Sequence, residues 1–322
     1  MWKQAVLTLA LCAGVSHGAT AQVAWPNERV IKIVVASAPG GGTDTVARVL
    51  AGELSKNIGQ QFIVENRPGA GNVRGSDVVA KSAPDGYTLL MSASTLAINH
   101  VMYKQLPYDV ARDFAPITQM VSLPNVLVVG MGAPYRTFEE FLAAAKGKPG
   151  SLTYGSAGVG TAPHMAMELL RVSAGVEMVH VPYTGVAPAL NDIIGNRVDA
   201  MLVNFLSAKP QIDGGTLRAL AMSSAARSRF MPDMPTINES GVPGYEAIQW
   251  FGLLAPAGTP TAIVDRLAAE TAKILETPAM KARLALEGAE PIGNSPAEFS
   301  ALIKAEMAKW TAVAKAAGIK PE

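Results

Sequence analysis

The feature that most constrains the fold is a repeated unit: a short β-branched run, then a turn rich in glycine, then an amphipathic helix. In the first unit these segments are residues 31–36, 38–42 and 43–58, and Gly59 gives a helix stop signal. A strand at 62–66 and a helix at 72–81 repeat the order. Short strands that alternate with helices predict an α/β fold with a parallel sheet covered on both faces.

The alternation starts afresh near residue 126, which indicates a second lobe. Strands are predicted there at 126–129, 152–154, 178–181, 200–203 and 217–222, with helices at 137–146, 162–172 and 188–194. A long strand at 245–255 leads into a tail of helices at 260–276, 279–287 and 296–317, with no further strand.

The tail helices carry apolar stripes that must be buried, so we expect the tail to pack back on the first lobe. The chain then crosses between the lobes twice, near 123–128 and 247–251. This gives a first lobe of residues 22–124 and 248–322 and a second lobe of residues 125–247. Two lobes joined by two extended segments are able to hinge about a cleft.

The first 21 residues have the pattern of an export signal. Lys3 precedes an apolar run at 5–15, and the small residues at 19–21 predict cleavage after Ala21. The run is too short to cross a bilayer, and a buried N-terminal helix is the alternative interpretation. Cleavage removes Cys12, the only cysteine, so the exported chain would have neither disulfides nor thiol chemistry.

Charge and motif content exclude several function classes. Lys and Arg number 27 against 26 Asp and Glu, a balance that argues against a nucleic-acid-binding surface and against a polybasic membrane anchor. The four histidines lack metal-ligand spacing, and neither glycine-rich turn completes a P-loop or a dinucleotide-binding motif. We therefore expect no metal, no cofactor and no nucleic-acid partner.

Two glycine-rich turns, one in each predicted lobe, are the main candidates for a binding site. Each opens a helix, where backbone N–H groups and the positive end of the helix dipole attract an anion without a charged side chain. Thr43 or Asp44, and Thr161 in the second turn, are predicted to cap these helices; a flexible turn before a capped helix is the alternative. Because ligands of open α/β sheets bind beyond the carboxyl ends of the strands, both turns are expected to bind the same anion. The residues involved are Ala38, Pro39, Gly40, Gly41, Gly42, Thr43 and Asp44, and Ser156, Ala157, Gly158, Gly160 and Thr161.

Other polar residues follow predicted strands and are candidates to line the cleft: Ser92, Ser94, Tyr183 and Asn204. His164, one turn into the second helix, is a further candidate for the ligand site, although a packing or hydrogen-bonding role is the more common one for a lone histidine. Ser156 lacks the first glycine of a Gly-x-Ser-x-Gly nucleophile elbow, which argues against an enzyme. A hydrolase that uses Ser156 and His164 stays open as the alternative.

Motifs spread in order along the chain resemble one known family. They are Ala-Pro-Gly-Gly-Gly-Thr-Asp at 38–44, Val-Glu-Asn-Arg-Pro-Gly-Ala-Gly at 64–71, Pro-Asp-Gly-Tyr at 84–87, Tyr-Gly-Ser-Ala-Gly-Val-Gly-Thr at 154–161 and His-Val-Pro-Tyr-Thr-Gly at 180–185. On these motifs the chain resembles the tripartite tricarboxylate transporter solute receptors, also called the Bordetella uptake gene (Bug) family.

The resemblance implies a type II periplasmic binding fold: two lobes of mostly parallel sheet flanked by helices, joined by two crossover segments. It implies capture of a small organic carboxylate in the periplasm, through backbone amides, hydroxyls and water at the two turns, for delivery to the membrane components of a tripartite tricarboxylate-type transporter. A monomer is expected, because such a receptor exposes both lobes to its transporter. A ligand-sensing partner of a membrane signalling protein is the alternative.

One position departs from the family pattern. Many members carry an acidic residue just before the asparagine that is Asn204 here, whereas this chain has Val203, with Phe205 on the other side. A buried carboxylate there would suit a ligand ammonium group. The valine therefore favours an organic acid with an apolar or aromatic body, with Ser94, Tyr183, Asn204 and Phe205 as selectivity residues. Of the remaining motif residues, Glu65 and Arg67 are expected to form a structural ion pair, and Trp250 to pack at the hinge.

Overall fold

A computed structural model describes residues 25–286 and 288–321. The predicted signal peptide and its cleavage site lie outside these residues. Within them, no helix combines the length and the apolar character that a membrane crossing requires.

Strands and helices alternate as the sequence predicts. The strands are β1 (Ile31–Val35), β2 (Phe62–Asn66), β3 (Thr88–Ala93), β4 (Phe114–Gly130), β5 (Leu152–Ser156), β6 (Met178–Pro182), β7 (Ala200–Asn204), β8 (Leu217–Met222), β9 (Ile248–Pro256) and β10 (Glu290–Pro291). The helices are α1 (Gly42–Ile58), α2 (Val73–Ala80), α3 (Thr95–Met102), α4 (Phe138–Gly147), α5 (Ala162–Ala174), α6 (Val186–Ile194), α7 (Phe205–Asp213), α8 (Thr261–Glu276), α9 (Pro278–Leu286) and α10 (Pro296–Ala317). The short strand β10 corrects the expectation of a strandless tail.

The α/β fold class is confirmed, but the sheet is mixed rather than mostly parallel. Its order is β2-β1-β3-β9-β4-β7-β5-β6, and β8 and β10 also pair with β4. Strand β1 is parallel to β2 and β3, and β5 is parallel to β6 and β7. Strands β4 and β9 run antiparallel to their neighbours, because each enters a lobe from the other one.

The long strand β4 connects the two halves of the sheet. Its 17 residues pair with β9 as far as Pro124 opposite Ile248, and with β7 from Asn125 opposite Asn204 onwards. The predicted lobe boundary, which stays a prediction, lies at this change of partner. We call residues 25–124 and 248–321 the first lobe and residues 125–247 the second lobe.

Helix α10 packs on both lobes. Its first half places Phe299 and Ile303 in an apolar cluster of the first lobe, whereas Trp310 and the following turns join a cluster that α3 of the first lobe shares with Tyr154 and Met165 of the second. The expectation that the tail packs on the first lobe is therefore incomplete, because the end of α10 also packs on the second. The helix has 22 residues, about 33 Å at 1.5 Å per residue, and it extends beyond the first lobe.

Candidate functional site

A cavity of about 410 Å³ lies between the lobes, beyond the carboxyl ends of the parallel strands. The first lobe lines it with Gly40, Gly42 and Thr43 after β1, and with Ala93, Ser94 and Thr95 after β3. The second lobe contributes Ala162, Asn204, Leu206 and Ser207. The cavity thus occupies the place where α/β sheets hold their ligands, and its size suits a small molecule.

Four helices begin at this cavity: α1, α3, α5 and α7. Each presents the positive end of its dipole there, and the effects of the four add. Among the described residues that line the cavity there is no Asp, Glu, Lys, Arg or His. The site therefore favours an anion through backbone dipoles alone. No group of three or more described His, Cys, Asp or Glu side chains is placed to hold a metal ion.

The N-terminus of α1 is uncapped. Its N-cap, Gly41, offers no side-chain oxygen, and the first helical bond runs from the N–H of Thr45 to the carbonyl of Gly41 at 2.9 Å. The N–H groups of residues 41–44 make no hydrogen bond to any described residue. The prediction that Thr43 or Asp44 caps α1 is wrong, because both lie inside the helix. Four consecutive donors are left free at the cavity.

The Asp44 carboxylate holds the first turn in shape through hydrogen bonds. Its carboxylate accepts hydrogen bonds from the N–H of Gly40 (2.9 Å), from Arg48 Nε (3.0 Å) and from Asn66 Nδ2 (2.9 Å). Burial alone would raise the pKa of this carboxyl, but the bonds from Arg48, Gly40 and Asn66 lower it overall. With its oxygens occupied, Asp44 holds the turn and is not part of the cavity lining.

Asp44→Asn is expected to lower the free energy of unfolding by about 1.5–3 kcal/mol, because an amide NH₂ would face donors in a buried site. The pKa of Asp44 is lowered in the folded state, so its contribution is fully present above pH 3.8 and is lost as the pH falls through the folded value. Urea denaturation at pH 7, and at a series of pH values from 5 down to about 2, measures both effects. Glu53→Gln, on the exposed side of the same helix, serves as control and should change stability by less than about 0.5 kcal/mol.

Strand β9 supplies part of the apolar wall. Gln249 and Phe251 line the cavity, while Trp250 between them points the other way and meets the Phe299 ring edge-on at 5.2 Å. The packing role predicted for Trp250 is confirmed. Gln249 and Phe251 were not predicted as site residues. The signal was present, because side chains alternate along a strand and so place both on the face opposite Trp250. Other apolar residues of the wall are Val46, Leu123, Leu206 and Ala289.

The second glycine-rich turn is placed differently from the first. Gly160 and Thr161 line a separate cavity of about 100 Å³, together with Thr95 and Met102 of α3. A methyl group added at Gly160 would lie 2.8 Å from the Met102 methyl carbon. This turn therefore packs against the first lobe and reaches the main cavity only through Ala162 at the start of α5.

The polar groups of the second turn are used within the second lobe. Thr161 Oγ1 donates to the carbonyl of Gly158 (2.7 Å), and the Gly158 N–H donates to Ser156 Oγ (3.1 Å). The Gly160 N–H donates to His164 Nδ1 at 3.1 Å. Thr161 occupies the predicted N-cap position, but its side chain makes no cap bond. Unlike the first turn, this one keeps few free donors.

Two imidazoles support the second turn, that of His164, which is buried, and that of His180, which is half-buried. The rings of His164 and His180 stack with centroids 4.1 Å apart, and Tyr154 stacks on His180 at 4.9 Å. Ser156 Oγ lies 2.7 Å from His180 Nε2, so the partner of this serine is His180 and not His164. Burial, and then the neighbouring His180, lower the pKa of His164 to about 4; burial also lowers the pKa of His180.

The predicted site residues thus fall into two groups. Gly40, Gly42, Thr43, Ser94 and Asn204 line the main cavity, and Gly41 and Asp44 bear free N–H groups beside it. The residues outside its lining are Ala38, Pro39, Ser92, Ser156, Ala157, Gly158, Gly160, Thr161, His164 and Tyr183. Tyr183 donates its hydroxyl to Asp192 at 2.6 Å, and Ser92 is buried with no hydrogen-bond partner in the described part of the chain.

The structure changes the expectations for Val203 and Phe205 and confirms the one for Glu65 and Arg67. Val203 is buried in an apolar cluster of the second lobe and Phe205 stacks on Phe230, so neither lines the cavity. Whether the cavity accepts an ammonium group is therefore decided by its lining and not by Val203. The structural ion pair expected between Glu65 and Arg67 is confirmed, with Arg67 Nε 2.6 Å from Glu65 Oε1.

Comparisons with known proteins agree with this geometry. A model of the tripartite tricarboxylate transporter family receptor (TctC) matches residues 46–319. The chain is similar to R. palustris Rpa4515, solved with adipate, at 38% identity over 92% of this chain and 100% of that one, with a TM-score of 0.80. It is also similar to the periplasmic binding protein BugD (34%, 92% and 99%, TM-score 0.75). MatC from Rhodopseudomonas palustris, solved with malate, is 31% identical over 89% of this chain and 99% of that one, with a TM-score of 0.73.

Proposed function

The chain belongs to the tripartite tricarboxylate transporter receptor family, TctC, also known as Bug, and from this premise we propose that it is a receptor that binds a carboxylate between its lobes without chemical change. The single observation that carries the proposal is the row of four N–H groups at residues 41–44 that make no hydrogen bond within the described part of the chain, beside a cavity whose described lining has no ionisable side chain. Hydrogen bonds from backbone N–H groups to an ionised oxygen are among the stronger ones. Thr43 and Ser94 add hydroxyls, and Asn204 adds an amide.

The proposed solute is a carboxylate with no ammonium group and with an apolar body. Among the described residues of the lining there is no acidic side chain to pair with an ammonium, which would be buried there at high cost. The wall formed by Leu123, Leu206 and Phe251 offers apolar surface to the rest of the molecule. The solved relatives named above hold adipate and malate, which carry carboxylates and no ammonium.

Export and delivery complete the proposal. Family relatives are periplasmic binding proteins, and the pattern at residues 1–21 supports cleavage after Ala21 and a periplasmic receptor. We propose that the receptor is a monomer, which leaves both lobes exposed to the transporter. The first turn would hold the carboxylate, and closure would bring in the start of α5 at Ala162 and the Asn204 side chain. The closed form would then be recognised by membrane components of the transporter.

A serine hydrolase is the second candidate, because Ser156 Oγ lies 2.7 Å from an imidazole nitrogen. The side chain of this serine is 0% exposed and also bonds to both backbone groups of Gly158, so no path for an ester leads to it. We expect no turnover of p-nitrophenyl esters. Turnover that disappears in Ser156→Ala would instead establish the hydrolase.

A thermal-shift screen of the mature protein tests the receptor function. A ligand at 100 times its dissociation constant stabilises the native state by about 2.7 kcal/mol, which shifts the melting temperature measurably. We expect adipate, malate or benzoate to raise the melting temperature, and glutamate and aspartate to leave it unchanged. Benzamide is the matched control for benzoate, since it keeps the ring and lacks the charge. A response to amino acids alone would contradict the proposed solute class.

A further inference from the structure

We propose that His164 and His180 are positioning residues of the solute site, which as neutral imidazoles hold the second turn, residues 156–161, in place against the first lobe. This inference rests on the proposed function only in its last step, the effect on solute affinity. Its first step, the shape of the turn, concerns the protein without solute. The two steps are tested separately below.

The bond between Gly160 and His164 depends on the protonation state of the ring. The Gly160 N–H donates to Nδ1 at 3.1 Å, so Nδ1 must carry a lone pair and the neutral ring must carry its proton on Nε2. A proton on Nδ1 would set two donors face to face. Gly160 has a φ of +72°, a conformation that this bond helps to hold.

His180 supports the other end of the same turn. Its Nε2 pairs with Ser156 Oγ at 2.7 Å, and that oxygen in turn accepts the Gly158 N–H at 3.1 Å. Because the two rings stack 4.1 Å apart, a charge on one disfavours a charge on the other. Repulsion therefore disfavours two charged rings, and burial, which lowers the pKa of each ring, favours the state in which both are neutral.

The charged neighbours do not favour an imidazolium here. The ionisable groups that act on His164 are Glu168 and Arg171 of α5, Tyr154 of β5 and His180 of β6. Glu168 is the only anion among them, and its carboxylate is occupied by the Tyr154 hydroxyl and by Arg171 Nε at 3.0 Å. The carboxylate that would otherwise stabilise a charged ring is thus already paired.

The position of the second turn affects the main cavity through α3 and α5. Gly160 packs on Met102 of α3, and Thr95 of the same helix lines both the small and the main cavity. Ala162, the first residue of α5, lines the main cavity directly. A turn released from the imidazoles would move this wall, and the closed form would bind solute less tightly.

The test compares His164→Asn with His164→Leu in the full mature protein. Asparagine places Oδ1 close to the position of Nδ1, so it accepts the Gly160 N–H and does not titrate; leucine fills similar volume without an acceptor. Nitrogen-15 NMR without solute should show an unprotonated Nδ1 in the wild type at pH 7.5. The Gly160 amide and this nitrogen should then change together only below about pH 5, given the pKa of about 4 for His164. In the asparagine variant the Gly160 amide should not titrate.

The solute arm uses calorimetry at pH 7.5 with adipate and with benzoate as probes. The leucine variant should bind about tenfold more weakly, as expected for one lost hydrogen bond, and the asparagine variant within about twofold of the wild type. His100→Asn, an exposed histidine on α3, is the control and should change neither readout.

A protonated Nδ1 in the wild type at pH 7.5, or a turn whose amide resonances are the same in the leucine variant, overturns the proposal. Equal affinities of the wild type and the leucine variant overturn it as well. If the wild type binds neither probe, the proposed function is in doubt, while the NMR comparison still decides whether the imidazoles hold the turn.

Discussion

Gly42→Pro is expected to lower carboxylate affinity about 10- to 150-fold while the protein stays folded. Proline removes one of the four free N–H donors of α1, and a hydrogen bond to a charged group is worth about 1.5–3 kcal/mol. The fold should tolerate the change because Gly42 is the first residue of α1, a position that favours proline. The preceding residue, Gly41, has φ −78° and ψ 165°, the extended conformation that proline requires before it.

The matched control is Gly42→Ala, which adds a carbon at the same place and keeps the N–H. That carbon would lie 3.4 Å from the Phe251 ring, an acceptable contact, so we expect affinity within about threefold of the wild type. Calorimetry with the carboxylate that gives the largest thermal shift, and urea denaturation of each variant, separate affinity from stability. Equal binding by the proline variant and the wild type would show that the anion is held elsewhere.

The first turn was predictable from sequence because its function depends on local features. Three consecutive glycines between a β-branched run and a helix leave the backbone donors uncovered, and this is what residues 41–44 show. The second turn has a similar pattern, yet the N–H groups of Gly158, Gly160 and Thr161 are occupied. What distinguishes the turns is a set of acceptors, Ser156 Oγ and His164 Nδ1, whose orientation depends on packing with His180 and Tyr154. Packing between distant segments is not visible in a local pattern.

The missed elements have physical reasons of the same kind. Helices α3 and α7 have 8 and 9 residues and follow their strands without a glycine turn, so neither shows a clear helical period. The part of β4 before the predicted strand, residues 114–125, carries Pro116, Thr118, Gln119 and Pro124, which interrupt a strand pattern. These elements are stabilised by long-range contacts, and two of them, α3 and α7, supply Ser94, Asn204 and Ser207 to the cavity or its edge.

Asn204→Asp is expected to lower carboxylate affinity about 100-fold without loss of stability. Asn204 caps α7, with Oδ1 accepting the Ser207 N–H at 2.9 Å, and aspartate caps as well and adds a favourable charge at the helix N-terminus. The same charge lines the cavity. At about 6 Å and an effective dielectric constant of about 20, two like charges repel by about 3 kcal/mol. Calorimetry with the best carboxylate measures the loss, and urea denaturation measures the stability.

Asn204→Ser separates charge from shape, because serine keeps the cap and adds no charge; its affinity should stay within about fivefold of the wild type. The loss of affinity in the aspartate variant should also shrink at high ionic strength, less steeply than for a pair on an open surface, because the two charges lie within a cavity. If a new carboxylate at this position changed affinity no more than serine does, the anion would not lie near the start of α7. Helices α1 and α7 belong to different lobes. A loss of carboxylate affinity in both Gly42→Pro and Asn204→Asp would therefore mean that one bound carboxylate interacts with both lobes, as lobe closure around a solute requires.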